Sequence, residues 1–336
     1  MVFVQGRPPA DRAPMSVKPI QVRLFFHDKC FDGAASAAVF TRFYRERVRG
    51  DAEFHYTGMT HRARHPFTPE MFDGDENGIV DFKYSSSEKL TWWFDHHQSA
   101  FLSQEDADHF RGDHSGKKFY NPEYHSCTKL LADVTSKQFG FNAAPLEELV
   151  KWGDIIDGAQ YPDAATAVGL AEPAMKLALV IEAAPEDDLV PRLIPEMARR
   201  PMAEMIELPE VKNHLGPLLE RHERSLELFR KRARREDGVV YFDLSGDEME
   251  GYNKFIPYYL FPDAVYSVGV SASALRVKVS VGSNPWTKTP LRHNLAALCE
   301  RYGGGGHARV AAISLEPGDV GRAQKVARAI AEELRQ

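Results

Sequence analysis

Three short apolar runs each stop at ionisable residues: Val22 to Phe26 breaks at His27, Ile79-Val80 ends at Asp81, and Leu90 to Phe94 ends at Asp95-His96-His97. In open α/β sheets the ligand crevice lies beyond the carboxyl ends of the strands, so this arrangement delivers the ionisable groups to one place. After Asp32-Gly33, an Ala-rich stretch from Ala34 to Val48 has helical periodicity through Ala38, Phe40, Phe43 and Tyr44, giving a strand, loop and helix in succession. Further helical patterns at Cys127 to Phe139, Pro145 to Asp157 and Glu172 to Ala183 fill out an α/β domain.

The chain has 336 residues, enough for two ordinary domains. The first is expected over residues 20–185, behind a proline-rich leader over 1–19. Residues 186–237 are rich in Leu, Glu and Arg, with Leu215, Leu219, His222, Leu226, Phe229 and Ala233 at helical spacing, and read as a helical connector. From 238 to 336 the pattern changes to short β-rich runs (Val239 to Leu244, Val265 to Ser271, Leu275 to Val281, Val310 to Leu315) with helices near Leu291 to Arg301 and Val320 to Arg335. The expected fold is therefore α/β and two-lobed: a parallel-sheet first domain, a helical connector and a smaller mixed-sheet second domain, with the active cleft between the lobes.

Composition narrows the function. Hydrophobic residues at 43% and charged residues at 27% are those of a globular protein. No apolar run approaches the roughly 18 residues of a membrane span, so no membrane partner is expected. A net charge of -6 disfavours coating of long nucleic acid and favours small or short anionic substrates. Cys30, Cys127 and Cys299 are odd in number and far apart, unlike a disulfide framework, which fits a cytoplasmic location.

His27, Asp28, Asp32, Asp81, His96, His97 and Asp157 form an oxygen-and-imidazole set that suits Mn²⁺ or Mg²⁺ better than a thiolate-bound metal. Consecutive side chains on a regular strand point to opposite faces, so His96 and His97 are expected to divide the work, one as ligand and one facing substrate. Asp154 and Asp157 share one face of a helix, and either can reach the crevice. Taken singly, each Asp reads as a cap or turn residue; their coincidence at successive strand ends favours a site. Ser126 opens a helix as a cap, with backbone N–H groups nearby.

The run Trp92-Trp93-Phe94-Asp95-His96-His97-Gln98, behind His27-Asp28-Lys29-Cys30-Phe31-Asp32-Gly33, resembles the DHH phosphoesterase superfamily, and Gly303-Gly304-Gly305-Gly306-His307-Ala308 resembles the glycine-rich signature of its associated C-terminal domain. The resemblance covers about residues 20 to 336. It implies a hydrolase of phosphate esters or anhydrides that works with two divalent cations, Mn²⁺ preferred and Mg²⁺ the alternative. His27, Asp32, Asp81, His96 and Asp157 would be metal ligands, Asp81 the bridge, His97 a contact to the scissile phosphate and Asp95 the group that orients the histidines. Where the family has Asp-x-Asp-Gly this chain has Cys30-Phe31-Asp32-Gly33; Asp28 is a candidate for the missing carboxylate, and Cys30 either ligates or packs.

The glycine loop reads as a phosphate cradle, because its backbone N–H groups can approach an anion with no Cβ between. Gly304, Gly305, Gly306 and His307 are its candidate contacts, with Ser283 and Asn284 beside them. Arg276 or Lys278 would add charge. Trp286 either stacks a base or is a buried core residue. The activity expected is hydrolysis of phosphodiester bonds in short oligonucleotides or dinucleotides. The alternatives are a phosphomonoesterase or polyphosphatase, and a nucleotide-binding or single-stranded nucleic-acid-binding protein with a decayed site. The chain is also compatible with a homodimer.

Overall fold

The carboxyl-terminal stops of the apolar runs fall at strand ends in a computed structural model of the protein, which describes residues 18–60, 66–184, 188–247 and 251–336. All but the last two residues of the expected leader lie outside the described residues. In chain order the elements are β1 (Gln21–His27), α1 (Phe31–Arg47), β2 (Glu53–Met59), β3 (Glu76–Val80), β4 (Leu90–Asp95), α2 (Gln104–Arg111), β5 (Lys118–Tyr120), α3 (Cys127–Phe139), α4 (Glu147–Asp157), α5 (Ala164–Gly169), α6 (Pro173–Glu182), α7 (Leu189–Met197), α8 (Met202–Met205), α9 (Pro209–Arg232), β6 (Arg234–Glu236), β7 (Val239–Asp243), α10 (Ile256–Leu260), β8 (Tyr266–Ala272), β9 (Val277–Ser283), α11 (Leu295–Glu300), β10 (Gly305–His307), β11 (Val310–Leu315) and α12 (Val320–Leu334).

The chain divides into two compact units. The first takes the described residues up to Asp28, then Asp32–Gly153 and Val190–Arg199; the second takes Lys29–Phe31, Asp154–Leu189 and Arg200–Gln336.

The first unit is built on a parallel five-stranded sheet in the order β2-β1-β3-β4-β5. Such a sheet is buried on both faces, and β4 shows how the sequence meets that demand. Trp92 packs on one face against Phe40 and Phe43 of α1 and Phe139 of α3. Trp93, one residue on, packs on the other against Tyr84, Phe110 and Tyr120. Each indole N–H finds an acceptor, Glu76 Oε2 at 2.6 Å for Trp92 and the Phe82 carbonyl at 3.0 Å for Trp93, as a buried indole requires. The small side chains of Ala34, Ala35, Ala37 and Ala38 bring α1 close to the sheet while Phe40 and Phe43 fill the space beyond them, all fully buried. Each buried Phe contributes about 1.5–3 kcal/mol.

The second unit carries a mixed six-stranded sheet, β10-β11-β9-β8-β7-β6, in which only β7 and β8 run parallel. One face packs Val268, Val270, Val279, Val281 and Ile313 against Leu295, Leu298, Ala327 and Ile330 of α11 and α12. On the other, Phe242 of β7 gathers with Phe229 of α9, Ile256 and Tyr258. Gly269 is needed there, since a Cβ would stand 2.0 Å from the Phe242 ring. α9, from the expected helical connector, enters this core through Leu226 and Phe229.

Candidate metal centre

In the first unit the sheet order reverses at β1, which has β2 on one side and β3 on the other, and the carboxyl ends flanking such a switch point form the usual crevice. His27 is the last residue of β1, Asp81 follows β3 directly, and Asp95 closes β4. Asp81 has φ 56°, an uncommon conformation for a residue with a Cβ, and its N–H donates to the Phe94 carbonyl at 2.9 Å. The strain turns the Asp81 carboxylate into the crevice.

That carboxylate is fully buried among imidazoles. Its Oδ2 lies 3.4 Å from His27 Nδ1, and its Oδ1 lies 3.4 Å from His96 Nε2 and 3.7 Å from His97 Nδ1. These are ion-pair distances without hydrogen-bond geometry: neither Asp81 oxygen has a hydrogen-bond partner among the described residues. A buried carboxylate held in that state is costly, and a divalent cation between oxygen and imidazole resolves it. Asp81, His96 and His97 each offer a ligand atom, all within 4.8 Å of one another, and the donor set of oxygen and nitrogen suits Mn²⁺ or Mg²⁺. Burial works against the charged form of Asp81, but the His27, His96 and His97 imidazoles outweigh it and hold its pKa far below the usual carboxylate range.

Strand alternation does not separate His96 from His97. β4 ends at Asp95, and the chain turns so that the two rings lie 4.5 Å apart, both directed at Asp81. Asp95 makes this turn. Its Oδ1 accepts the backbone N–H groups of His96 at 2.8 Å and His97 at 3.2 Å, and His97 Nδ1 lies 2.7 Å from the same oxygen. His96 is oriented separately, with Nδ1 3.0 Å from the Tyr124 carbonyl, an acceptor that places Nε2 toward Asp81. Burial alone would lower the His97 pKa, but the Asp95 hydrogen bond and the nearby carboxylates raise it. Burial raises that of Asp95.

Asp32 has a second task. Its carboxylate spans the N-terminus of α3, accepting Cys127 N–H at 2.7 Å and Thr128 N–H at 3.0 Å, while Oδ2 stays 3.8 Å from His96 Nε2. Ser126 caps α3 as expected, through Lys129 N–H, but the next N–H groups face Asp32 rather than an open crevice. Gly33 follows because nothing larger fits: a Cβ would stand 2.1 Å from the His27 carbonyl oxygen.

The other candidate ligands are Asp28, Cys30, Asp154 and Asp157. Asp28 is not drawn into any cluster of metal-ligating groups among the described residues; its side chain lies over Gly58 of β2, and its N–H donates to the Met59 carbonyl. Cys30 is a half-buried thiol in the turn between β1 and α1. Asp154 is half-buried in the last turn of α4, and Asp157, the final residue of that helix, is exposed.

In the second unit, Gly305, Gly306 and Ser283 line a cavity on the strand face, whereas Gly304 and His307 do not. A Cβ at Gly305 would meet nothing within 4 Å, while one at Gly304 would stand 2.4 Å from the Ala312 carbonyl oxygen. Gly304 thus serves packing of the β10–β11 hairpin and Gly305 openness. Asn284 does not face a ligand. It is 1% exposed, its amide donates to the Pro262 and Ala264 carbonyls at 3.0 and 2.8 Å, and its Oδ1 accepts Trp286 N–H. Trp286 is a packing residue, its indole N–H donating to the Tyr161 carbonyl at 2.7 Å and its ring against Phe255. Sequence reasoning missed Tyr252, Lys254 and Arg309, which line the same cavity; for Arg309, two positions past His307, proximity to the loop was the available signal. It also missed the Tyr124 carbonyl, which leaves no trace in residue type.

No protein-family model matches the chain, and no curated protein matches it. Among solved structures, the pGpG-specific phosphodiesterase PggH from Vibrio cholerae superposes with a TM-score of 0.66 at 19% identity, covering 93% of this chain and 98% of its own. RecJ from Thermus thermophilus in complex with Mn²⁺ matches with a TM-score of 0.49 at 13% identity, over 94% of this chain and 52% of that one. An exonuclease RecJ bound to manganese matches with a TM-score of 0.47 at 16% identity, over 94% and 91%. The superposition on PggH extends over nearly the whole of both chains. The chain thus shares the α/β fold of PggH along nearly its whole length.

Proposed function

We propose that the protein is a metal-dependent phosphodiesterase that cleaves linear dinucleotides or very short oligonucleotides. The observation that carries this reading is the Asp81 carboxylate, buried among His27, His96 and His97 at distances suited to a bridged cation rather than to hydrogen bonds. His27, Asp32, Asp81 and His96 are the ligands supplied by the first unit. Asp157 is included in the ligand set on the sequence pattern. Two divalent cations, Mn²⁺ preferred, would supply Lewis acidity there, making hydroxide available near neutral pH and neutralising charge on the phosphoryl oxygens.

The chain's own residues do the rest. Asp95 holds His97 with Nδ1 toward itself, so that Nε2 is the ring atom presented to a phosphoryl oxygen. The Asp95 carboxylate at His97 Nδ1 would stabilise an imidazolium, the better donor to an anion. Asp32 anchors to the α3 N-terminus, which fixes the helix that packs behind the histidine turn and keeps the carboxylate charged. The likeness to PggH, a phosphodiesterase specific for pGpG, favours a dinucleotide over a long polymer. The test is hydrolysis of a linear dinucleotide by chelator-stripped protein with and without Mn²⁺, alongside inorganic polyphosphate; turnover of polyphosphate alone would replace this reading.

A further inference from the structure

His96 is held by an acceptor of a different kind from that of its neighbour. His97 meets the Asp95 carboxylate, whereas His96 Nδ1 lies 3.0 Å from the Tyr124 carbonyl. A backbone carbonyl only accepts, so a hydrogen bond here puts the ring proton on Nδ1 and leaves the lone pair on Nε2. That atom stands 3.4 Å from Asp81 Oδ1 and 3.8 Å from Asp32 Oδ2. Ligation through His96 Nε2 therefore depends on where the Tyr124 peptide group stands.

This peptide group belongs to an irregular stretch, residues 121–126, between β5 and α3. At its start the Asn121 N–H donates to the Asp95 carbonyl at 3.2 Å. The Asn121 side chain then accepts Glu123 N–H at 3.0 Å, and the Asn121 carbonyl accepts Tyr124 N–H at 3.4 Å. At its end Ser126 caps α3. Between these anchors the Tyr124 hydroxyl donates to Asp133 Oδ2 at 3.2 Å, and Asp133 Oδ1 accepts the Lys129 ammonium at 2.9 Å.

The Lys129–Asp133 pair does little for α3 itself. The lysine precedes the acid by four residues, the weaker of the two orders on a helix. Its side chains are 43% and 28% exposed, where an ion pair contributes about 0–1 kcal/mol. What the pair does is present a fixed, charged acceptor to a tyrosine that lies outside the helix. The same helix donates Cys127 and Thr128 N–H to Asp32. α3 is thus a common reference for two ligands, Asp32 through its first amides and His96 through Asp133 and Tyr124.

We propose that Tyr124 and Asp133 are positioning residues for the metal centre. Their hydrogen bond fixes the Tyr124 carbonyl against His96 Nδ1, and so selects the tautomer and the direction of the imidazole that meets the cation. Lys129 orients Asp133 for this role. The inference rests on the metal-dependent reading for what His96 Nε2 does, but on hydrogen bonds alone for how the ring is held.

The test begins without metal, on the full chain. In chelator-stripped protein carrying nitrogen-labelled histidine, in alkaline buffer, the His96 ring should give the nuclear magnetic resonance pattern of an imidazole protonated on Nδ1. Tyr124→Phe and Asp133→Ala should each move it toward a mixture of tautomers. Titration with Mn²⁺ should then show binding weakened about tenfold in either variant. The double variant should bind no more weakly than the single ones, since both changes break one bond. Asp133→Asn keeps an acceptor for the hydroxyl and should recover most of the affinity. With a dinucleotide, the Mn²⁺ concentration for half-maximal rate should rise by the same factor. An unchanged tautomer and Mn²⁺ affinity in Tyr124→Phe, additive losses in the double variant, or no recovery in Asp133→Asn would overturn the proposal. A wild type that shows the tautomer and binds Mn²⁺ but hydrolyses no dinucleotide would instead defeat the phosphodiesterase reading and leave the positioning role standing.

Discussion

Asp95 and His97 are joined by a 2.7 Å contact between Oδ1 and Nδ1, and the same oxygen accepts the backbone N–H groups of His96 and His97. One carboxylate oxygen thus sets the direction of two imidazoles. Asp95→Ala should lower kcat/KM on a dinucleotide by about 10–100-fold and weaken Mn²⁺ binding to a similar degree. Asp95→Asn, which keeps an acceptor for the backbone, should retain more of both. Steady-state kinetics and metal titration of the two variants check this; equal losses would mean that the charge of Asp95, rather than the turn it organises, matters.

The reading of Asp32 as both ligand and helix anchor makes a prediction that needs no metal. Asp32→Ala leaves the buried N–H groups of Cys127 and Thr128 without their acceptor, at about 1–3 kcal/mol for each group left unsatisfied. Urea unfolding of metal-free protein should show this loss. An unchanged midpoint would show that Asp32 serves the metal alone.

Much of this was legible in the sequence because it rests on periodicity and on residue type. The apolar runs ending at His27, Asp81 and Asp95 lie on β1, β3 and β4 or at their ends, and α3 spans Cys127–Phe139 as its pattern predicts. The edge strands β2 and β5 were not seen: β2 is only partly buried and β5 is three residues long, so neither carries a strong apolar signal. Alternation does not extend to His96 and His97 because β4 ends at Asp95. Asn284 was misassigned because a polar residue after a strand reads alike whether it binds a ligand or closes a turn. Trp286 fits the plainer of its two readings for a tertiary reason, the Tyr161 carbonyl that takes its N–H.

Gly269 lies under the Phe242 ring, where a Cβ would come within 2.0 Å. Gly269→Ala should cost about 1–3 kcal/mol through overpacking, read as a lowered thermal midpoint. Phe242→Leu should recover part of the loss in the double variant, since the two sites share one contact; purely additive losses would contradict that coupling.

Asp113 accepts the Lys118 ammonium at 2.8 Å and the Ser115 N–H and hydroxyl. Burial alone would raise its pKa, but these partners lower it from 3.8 to about 2. A depressed folded-state pKa gives stability that is full above the unfolded value and is lost as pH falls through the folded one. Asp113→Asn should therefore be less stable than wild type by about 1 kcal/mol at pH 6, with the difference shrinking between pH 4 and about 2. Chemical unfolding across that range checks it; a gap that persists at low pH would point to packing instead.

The account's central claim is that the histidine and aspartate cluster around Asp81 works through bound divalent cations on a phosphodiester. The most direct measurement is the release of mononucleotides from pGpG by chelator-stripped protein, with Mn²⁺ added back, for wild type and Asp81→Asn. The account predicts no turnover without metal, recovery on adding Mn²⁺, and a loss of at least about a hundredfold in Asp81→Asn at saturating Mn²⁺. Turnover that survives chelation, or an Asp81→Asn enzyme as active as wild type, would contradict it.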